Sequence, residues 1–331
     1  MFKFNQNVPL DVICIGRASV DIYAKDIGLL EDACNFSKYL GGSPANTAVA
    51  LAKQGIKVGM ITKVSDDGMG LFVKKYLQAN SIDISQIKTD HEGHLTGITI
   101  GEILGGGNCS CLMYRQNCAD LFLNPEEIEE DYIKKAKAIL ISGTSLSHSP
   151  VREAIFKIIN LAKNNGVVII FDPDYRDGTW DNKEEVSTYL SIVARQSDLI
   201  ISTDSEMQMI YPGFNNQEKY TKDLVADILL KSGVKMINIK DGSNGSTIYT
   251  SEYKMNCPCY KLPNVLKTFG AGDSYAAGFI AQLIENGDCK EAAKRGAASA
   301  AITISGHSCS ESTPSLIQVK DFMDTHVLDL K

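Results

Sequence analysis

One carboxylate follows directly on a turn of small residues in the segment KTFGAGD, residues 267–273. A helical pattern begins at about Asp273, so the backbone N–H groups of Gly270, Ala271 and Gly272 are expected at a helix N-terminus, where they can bind a phosphate. Two roles are then open to Asp273. It could cap the helix by accepting backbone hydrogen bonds, or it could take a proton from a substrate hydroxyl beside the phosphate.

A second loop-to-helix junction lies in the segment GGSPAN, residues 41–46. The paired glycines permit a tight turn, and Pro44 suits the first turn of a helix. The side-chain amide of Asn46 offers a ligand both a donor and an acceptor. Taken alone, this segment is a generic beginning of a helix.

A third motif, KDGSNG at residues 240–245, directly follows the apolar run Met236–Ile239. Open α/β sheets bind ligands at the carboxyl ends of their strands, which would put Gly242 and Gly245 beside a ligand. A hairpin turn is an equally good interpretation of this motif alone. Neither a P-loop nor a GxGxxG motif after the first strand occurs, so two common classes of nucleotide-binding protein are unsupported.

The elements that must position these motifs alternate along most of the chain. Short β-branched runs bounded by polar residues or glycine are typical of buried strands. These runs are Asp11–Ile15, Val58–Thr62, Ala138–Ser142, Val167–Phe171, Leu199–Ser202 and Met236–Ile239. Helical patterns lie between them, so we expect an α/β fold with a doubly wound, mostly parallel sheet.

Two stretches, approximately residues 22–40 and 96–118, interrupt this alternation. The second holds two strand-like runs around three consecutive glycines at 105–107, a pattern typical of a hairpin. We expect the two stretches to form a small β-sheet lid on a single α/β domain spanning residues 1–331. A plain structural extension is the alternative.

The charge balance argues against a nucleic-acid or membrane partner. The chain has 33 Lys and Arg residues against 40 Asp and Glu residues, a formal charge of −7, so no basic excess is available to neutralise phosphates. No run of about 18 apolar residues is present, and residues 1–10 contain no apolar signal core. We therefore expect a cytoplasmic protein.

Together, the segments 41–46 and 267–273 resemble the two signatures of the ribokinase-type, or PfkB, carbohydrate kinase family. They occur in the expected order and spacing, and the resemblance runs from about residue 11 to about residue 310. It implies a ribokinase-like fold that uses ATP and Mg²⁺. It also implies that Asp273 is the general base, while the backbone of Gly270, Ala271 and Gly272 stabilises charge on the transferring phosphoryl group.

The same resemblance implies ligand contacts at other positions. Nucleotide contacts are expected at Lys240, Gly242, Gly245, Thr268, Ser299 and Ser305. Sugar contacts are expected at Asp21, Gly42 and Asn46, with Lys38 as a further candidate. Glu206 would organise magnesium directly or through water, although Thr203 stands where the family commonly has Asn.

Lys267 is a departure from the family pattern, which usually has Asp at this position. In cation-activated relatives that Asp helps to hold a monovalent cation. We expect the Lys267 ammonium to take the place of that cation, which predicts that potassium does not activate the protein.

Four segments, residues 16–21, 36–46, 266–275 and 305–310, resemble a branch of the family that acts on a keto-sugar acid. This implies transfer of phosphate from ATP to the C6 hydroxyl of 5-dehydro-2-deoxy-D-gluconate. A sugar acid needs a cationic partner for its carboxylate, and the candidates are Arg17, Arg115 and Arg176.

Three other interpretations stay open at the level of sequence. One is phosphorylation of 2-dehydro-3-deoxygluconate, and the next is phosphorylation of fructose or ribose. Another is a sugar-sensing protein without kinase activity, which the complete Gly-Ala-Gly turn before Asp273 argues against. The family contains monomers and dimers, often paired through the lid, and a homodimer of that kind is among the expectations.

Overall fold

The computed structural model describes residues 2–215, 217–262 and 264–329. The strands are β1 (Leu10–Ile15), β2 (Ser19–Ile27), β3 (Phe36–Gly41), β4 (Val58–Ser65), β5 (Asp83–Asp90), β6 (Ile98–Gly105), β7 (Asn108–Tyr114), β8 (Ala136–Ser142), β9 (Val168–Asp172), β10 (Leu199–Thr203), β11 (Met236–Lys240), β12 (Ser246–Thr250) and β13 (Lys254–Cys257). The helices are α1 (Ser43–Lys53), α2 (Gly68–Ala79), α3 (Glu130–Ile133), α4 (Val151–Asn164), α5 (Lys183–Gln196), α6 (Asp204–Ile210), α7 (Lys222–Lys231), α8 (Ala271–Asn286), α9 (Cys289–Ile304) and α10 (Leu316–Thr325). Residues 1, 216, 263, 330 and 331 of the predicted domain lie outside the described residues.

Nine strands form one large sheet in the order β13-β12-β11-β10-β9-β8-β1-β4-β5. Neighbouring strands from β11 to β5 run parallel, and only the β11–β12 and β12–β13 pairs are antiparallel. The mostly parallel sheet predicted from the sequence is therefore confirmed, and all six predicted strands are present. The sequence analysis missed β5, β12 and β13.

Alternate residues of the central strand β1 face two different hydrophobic cores. Val12 and Cys14 pack in the core that contains α1, α2, α8 and α9. Ile13 and Ile15 pack in the core that contains α4, α5 and α7. Both faces of the sheet are covered, which explains why its strands are apolar runs without a polar alternation.

The small second sheet is also present, with strand order β3-β2-β6-β7. It begins with β2, only three residues after β1 ends, so the two sheets are joined by a very short connection. The predicted hairpin turn joins β6 to β7, and Gly105, Gly106 and Gly107 all have positive φ angles there. The action of this sheet as a lid stays a prediction.

Helices α8 and α9 approach each other unusually closely at two glycines. A Cβ placed on Gly278 would lie 2.7 Å from the Arg295 carbonyl oxygen, and one on Gly296 would lie 2.8 Å from the Tyr275 carbonyl oxygen. Any side chain at either position would push the helices apart. Of the helices in the described ranges, none is both long and apolar enough to cross a membrane.

Candidate active site

Asp273 lies in the first turn of α8, and both oxygens of its carboxylate accept hydrogen bonds from the start of α1. Ser43 Oγ donates to Oδ1 at 2.8 Å, and Asn46 Nδ2 donates to Oδ2 at 2.9 Å. The cap position of α8 is occupied by Gly270, and no side chain caps this end of the helix. The capping role considered for Asp273 is therefore excluded.

Burial raises the pKa of Asp273, and the Asp174 carboxylate raises it further. Hydrogen bonds from Asn46 and Ser43 and the charge of Arg176 act in the opposite direction without cancelling the rise. A raised pKa means that this carboxylate takes up a proton more readily than a carboxylate in water. A general base needs this property.

The turn before α8 has the geometry of an anion site. Gly270 has a φ of 76°, and a Cβ there would lie 2.9 Å from Cys309 Cβ, so only glycine fits. The first N–H groups of a helix lack partners within the helix. Ala271 N–H already reaches the Thr268 carbonyl at 3.3 Å, which leaves the N–H groups of Gly272 and Asp273 as the better donors to a phosphate.

Lys240 places a positive charge beside this turn, at the carboxyl end of β11. Its Nζ would lie 3.5 Å from a Cβ on Gly272, and it lies 4.0 Å from Asp172 Oδ2. Burial lowers the pKa of Lys240, but the Asp172 and Glu206 carboxylates outweigh this effect and the pKa is raised. The ammonium group therefore stays protonated next to the anion site.

Glu206 forms a capping box at the start of α6. Its Oε2 accepts from Thr203 N at 2.7 Å and from Thr203 Oγ1 at 2.9 Å, while Oε1 accepts from Tyr175 N at 3.3 Å. Thr203, which stands where the family pattern has Asn, therefore holds the Glu206 carboxylate in place. Glu206 is buried, and part of its hydrogen-bonding capacity is used within the protein.

The described side chains include no group of three or more His, Cys, Asp or Glu residues that could hold a metal ion. Mg²⁺ commonly keeps several waters and binds one or two carboxylates together with substrate phosphates. The Glu206 carboxylate lies close enough to Asp172 to raise the pKa of Asp172, which burial also raises and Lys240 opposes. Asp172 and Glu206 fit an ion held mainly by phosphates and water.

Asp21, on β2 of the small sheet, lies beside the glycines that precede α1. Asp21 Oδ2 accepts a hydrogen bond of 2.6 Å from Tyr23. Burial raises the pKa of Asp21 to about 6, although Tyr23 and Arg17 favour the charged form. Gly42 has a φ of 92°, and a Cβ on it would lie 2.4 Å from the Arg17 carbonyl oxygen. Asn46 Oδ1 is buried without a partner, so it remains available to a ligand.

The three arginine candidates differ in their neighbours. Arg176 Nη2 pairs with Asp174 Oδ1 at 2.6 Å, and Arg115 Nη2 pairs with Asp120 Oδ2 at 2.6 Å. Arg17 has a hydrogen bond of 3.5 Å to Thr99 Oγ1. Arg17 and Arg115 are both only 7% exposed.

Lys38 is not brought to this site. In the β2–β3 pairing Lys38 lies opposite Ile22, whereas Asp21 lies opposite Tyr39. Neighbouring residues of a strand point to opposite faces of a sheet, so Lys38 faces away from Asp21. Its ammonium instead lies 4.0 Å from the centre of the Phe72 ring. The predicted sugar contact of Lys38 is not supported by this placement.

A cavity of about 660 Å³ opens next to the anion site. Four of the predicted nucleotide contacts line it, namely Lys240, Gly242, Gly245 and Thr268. Ala271 and Gly272 of the turn also line it. The apolar part of its wall consists of Tyr260, Leu262, Val265, Ala297, Ala300, Ala301 and Ile304. The cavity therefore has a charged end at α8 and an apolar end suited to a purine ring.

Ser299 and Ser305 do not line this cavity, contrary to the expectation from sequence. Positions 297, 300, 301 and 304 form one face of α9 and border the cavity. Ser299 lies on another face and is fully buried, where its Oγ accepts a hydrogen bond of 3.1 Å from Gln54 Nε2. Ser305 caps α9, and its hydroxyl donates to the Ala301 carbonyl at 3.1 Å.

Lys267 is fully buried, and its Nζ donates a hydrogen bond of 2.7 Å to the Phe269 carbonyl oxygen. Burial lowers the pKa of Lys267, while nearby Cys309, Cys109 and Asp273 favour the charged form. The ammonium thus contacts the backbone of the loop that leads into the anion site.

Besides Asp172, three further site residues were not predicted from the sequence. Ser43 holds Asp273 from 230 positions away in the chain. Asp174 is 3% exposed, has a φ of 39°, accepts from Ser142 Oγ at 3.0 Å and pairs with Arg176. Ser145 is buried with an unpartnered Oγ. The Asp-Pro-Asp sequence at 172–174 is the one available signal, and by itself it is equally typical of a turn.

A further cavity of about 1000 Å³ lies between the small sheet and the loops after β8 and β9. It is bordered by residues 111–118 of the β7 region, by Ser147 and His148, and by residues 176–181. Arg115 and Arg176 therefore face the same space.

The sequence of this chain also matches a known family of enzymes. Residues 10–316 match the model of the pfkB family of carbohydrate kinases. The match covers nearly the whole chain, so the protein belongs to this family.

Relatives in two bacteria carry the same name. The 5-dehydro-2-deoxygluconokinase of Geobacillus kaustophilus (strain HTA426) is 44% identical over 98% of this chain and 96% of its own length. The 5-dehydro-2-deoxygluconokinase of Bacillus anthracis is 43% identical over 97% of each chain.

Solved structures agree on the fold. A ribokinase II from E. coli in complex with ATP and Mg²⁺ superimposes with a TM-score of 0.86 at 25% identity, covering 96% of this chain and 100% of that chain. A fructokinase from Xylella fastidiosa with bound ATP gives a TM-score of 0.85 at 20% identity, covering 95% and 98%. The ribokinase-like fold predicted from the sequence is therefore confirmed.

Proposed function

We propose that the protein transfers the γ-phosphoryl group of ATP to the C6 hydroxyl of 5-dehydro-2-deoxy-D-gluconate, giving the 6-phosphate and ADP. The names of relatives that are 43–44% identical over nearly the full chain support this substrate. The observation that carries the reaction is the position of Asp273. It lies in the first turn of α8, next to Gly272, which lines the nucleotide cavity.

Asp273 acts as the general base in this reaction. The C6 hydroxyl gives its proton to the Asp273 carboxylate as its oxygen bonds to the γ-phosphorus, and the bond to ADP breaks. Ser43 and Asn46 hold the carboxylate from α1, so its direction is fixed before the substrate binds. Because its pKa is raised, Asp273 accepts the proton more readily than an exposed aspartate.

Positive groups around the turn stabilise the charge of the transferring phosphoryl group. The N–H groups at the start of α8 point toward the phosphates, and Lys240 contributes a charge at the carboxyl end of β11. Arg176 adds a second charge. Its ion-pair partner Asp174 is the main cause that raises its pKa, and the Asp273 carboxylate raises it further. Electrostatic stabilisation of this kind is the main protein contribution to phosphoryl transfer.

Mg²⁺ bound to ATP would neutralise phosphate charge during transfer. Glu206 and Asp172 are the residues that would hold it, through water or directly. Burial raises the pKa of Asp172 to about 7, and the charge of Lys240, 4.0 Å from Asp172 Oδ2, opposes this rise only in part.

The small sheet has the features of a lid and of a dimer interface. It carries Asp21, and we propose that it closes over the sugar and so excludes water from the phosphoryl group. Large apolar side chains are exposed on its strands and adjoining loops, namely Ile27, Leu29, Phe36, Leu95, Leu104, Leu112 and Tyr114. We also propose that the reaction takes place in the cytoplasm, where ATP is supplied.

We propose that a second copy of the chain binds to this exposed apolar surface. A monomer by light scattering at micromolar concentration would reject the dimer.

A coupled assay of ADP release over a panel of acceptors tests the function. The panel holds 5-dehydro-2-deoxygluconate, 2-dehydro-3-deoxygluconate, fructose and ribose. We expect the highest kcat/KM with the first acid and a phosphate on C6 in the isolated product. Preference for a neutral sugar, or a phosphate on another carbon, would reject the proposal.

A further inference from the structure

Unpartnered polar atoms are concentrated on three buried residues, which form one end of the proposed sugar cleft between the two sheets. Arg17 Nε, Arg115 Nε and Nη1, and Ser145 Oγ are all buried, and none has a hydrogen-bond partner. Leaving such groups unpaired in the interior is costly. These unpaired donors point to a ligand that accepts several hydrogen bonds.

Arg17 is a buried cation that has no ion-pair partner within the described part of the chain. Among the described residues, no carboxylate lies within salt-bridge distance of Arg17, whereas Arg115 has a single partner, Asp120. After burial, the charge of Arg115 is the largest influence on the pKa of Arg17 and lowers it, while Asp174 and Asp21 favour its charged form. A ligand carboxylate beside both guanidinium groups would stabilise the charged form of Arg17.

Three chain segments build this end of the cleft. Arg17 lies between β1 and β2, Arg115 directly follows β7, and Ser145 follows β8. Ser145 is next to the Arg17 segment, because a Cβ on Gly16 would lie 2.6 Å from Ser145 Oγ. The site is thus formed jointly by the large sheet and the small sheet.

We propose that Arg17 and Arg115, with the Ser145 hydroxyl, bind the C1 carboxylate of the sugar acid. This rests on the proposed function, and it assigns the carboxylate to two of the three arginine candidates. Arg176 borders the same cavity as Arg115. It is left out of this assignment because its Nη2 pairs with Asp174 Oδ1 at 2.6 Å and its Nη1 donates to the Tyr175 carbonyl oxygen at 3.0 Å.

Asp120 is a positioning residue in this scheme. Its Oδ2 accepts from Arg115 Nη2 at 2.6 Å and so leaves Nε and Nη1 free for the substrate. Asp21 is a charge neighbour of both Arg17 and Asp273. In the proposed reaction, an acid held by its C1 carboxylate at Arg17 would present its C6 hydroxyl to Asp273.

The test compares the acid with its C1 carboxamide, which has nearly the same shape without the charge. We expect Arg17→Met and Arg115→Met each to lower kcat/KM for the acid by about 10- to 150-fold, the value of a charged hydrogen bond. The carboxamide should lose clearly less than the acid, since its oxygen can still accept a hydrogen bond from the guanidinium group but has no charge to pair with it. Arg195→Gln is the matched control, because Arg195 is an exposed cation on α5 that lies over the Phe214 ring.

Folding is checked by thermal melting of each variant. Arg17→Met leaves no ion partner behind and should melt no lower than wild type, whereas Arg115→Met leaves Asp120 unpaired. The double variant Arg115→Met/Asp120→Asn removes that problem and should lose acid preference equally. Asp120→Asn alone should raise KM for the acid more than it lowers kcat.

Two results would overturn the assignment. One is an equal loss with acid and carboxamide in both Arg17→Met and Arg115→Met. The other is an acid-specific loss in Arg176→Gln. If the wild type instead phosphorylates a neutral sugar in preference to any keto-sugar acid, the proposed function itself fails, and that result is recognised before any variant is made.

Discussion

Replacement of Asp273 by Asn tests the chemistry most directly. The two side chains have nearly the same size, and the amide oxygen can still accept from Asn46 Nδ2. The amide NH₂ can donate to Ser43 Oγ, since a hydroxyl is also an acceptor. The variant side chain can therefore stay in place while losing the ability to take a proton.

The expected loss in kcat is about 10²- to 10⁴-fold, the usual contribution of a positioned general base. KM for ATP should change little, because Asp273 is not among the side chains that line the nucleotide cavity. Stability should not fall. Burial raises the pKa of Asp273, so its ionised form is disfavoured in the folded protein at neutral pH, and a neutral side chain removes that cost.

Three measurements are needed, namely ADP release, nucleotide binding by calorimetry and thermal melting. Asp288→Ala is the matched control, since Asp288 is a true helix cap that accepts from Lys290 N at 2.9 Å and Glu291 N at 3.0 Å. It should lose about 0.5–2 kcal/mol of stability while kcat is kept. A turnover by Asp273→Asn within about 3-fold of wild type would remove this residue from the proton transfer.

Three further outcomes are expected. Burial raises the pKa of Asp21 to about 6, so kcat/KM should fall as the pH drops through that value and Asp21 takes up a proton; a profile that stays flat down to about pH 5 would contradict this. Replacing potassium by a bulky inert cation should leave the activity of the wild type unchanged. Lys267→Met should lower kcat at least ~10-fold, because a charge beside the anion site is lost. Activation of the wild type by potassium would refute the role of Lys267. Gly270→Ala should lower kcat far more than Gly287→Ala, although both residues have a φ near +75°. The reason is that only Gly270 lies in the anion-binding turn, where a Cβ would lie 2.9 Å from Cys309 Cβ. Equal losses of kcat in the two variants would show that backbone strain alone is responsible.

The central strands could be predicted from sequence because both of their faces are buried. In β1 and β8 through β11 this gives continuous apolar runs that stand out from their surroundings. The edge strand β5, with sequence DISQIKTD, is only partly buried and carries polar residues, so no such run marks it. The antiparallel β13 lies at the other edge and is also mostly unburied. β12 is mostly buried, but its sequence STIYT mixes hydroxyl side chains with apolar ones, so it too lacks a continuous apolar run.

The chemistry of the site was predictable where it depends on the backbone. The Gly-Ala-Gly turn and the glycines of residues 240–245 have local sequence requirements, and the nucleotide cavity contains them. Ser43 is different, because its role depends on contact with a helix far along the chain. Lys38 and Ser299 are expected at the site from the sequence, although each faces another side of its element. A difference of one residue reverses the face of a strand, and this is not visible in a motif.

The close crossing of α8 and α9 has a consequence for the choice of phosphate donor. One helix supplies the turn that receives the phosphates, and the other supplies the apolar wall for the base. Because Gly278 and Gly296 let the two helices pack in close contact, the distance between the phosphate-binding turn and the apolar wall is fixed. The α9 part of this wall is made of Ala297, Ala300, Ala301 and Ile304, which have no side-chain polar groups. We therefore expect the protein to select its donor by the length of the phosphate chain, so that ADP does not replace ATP.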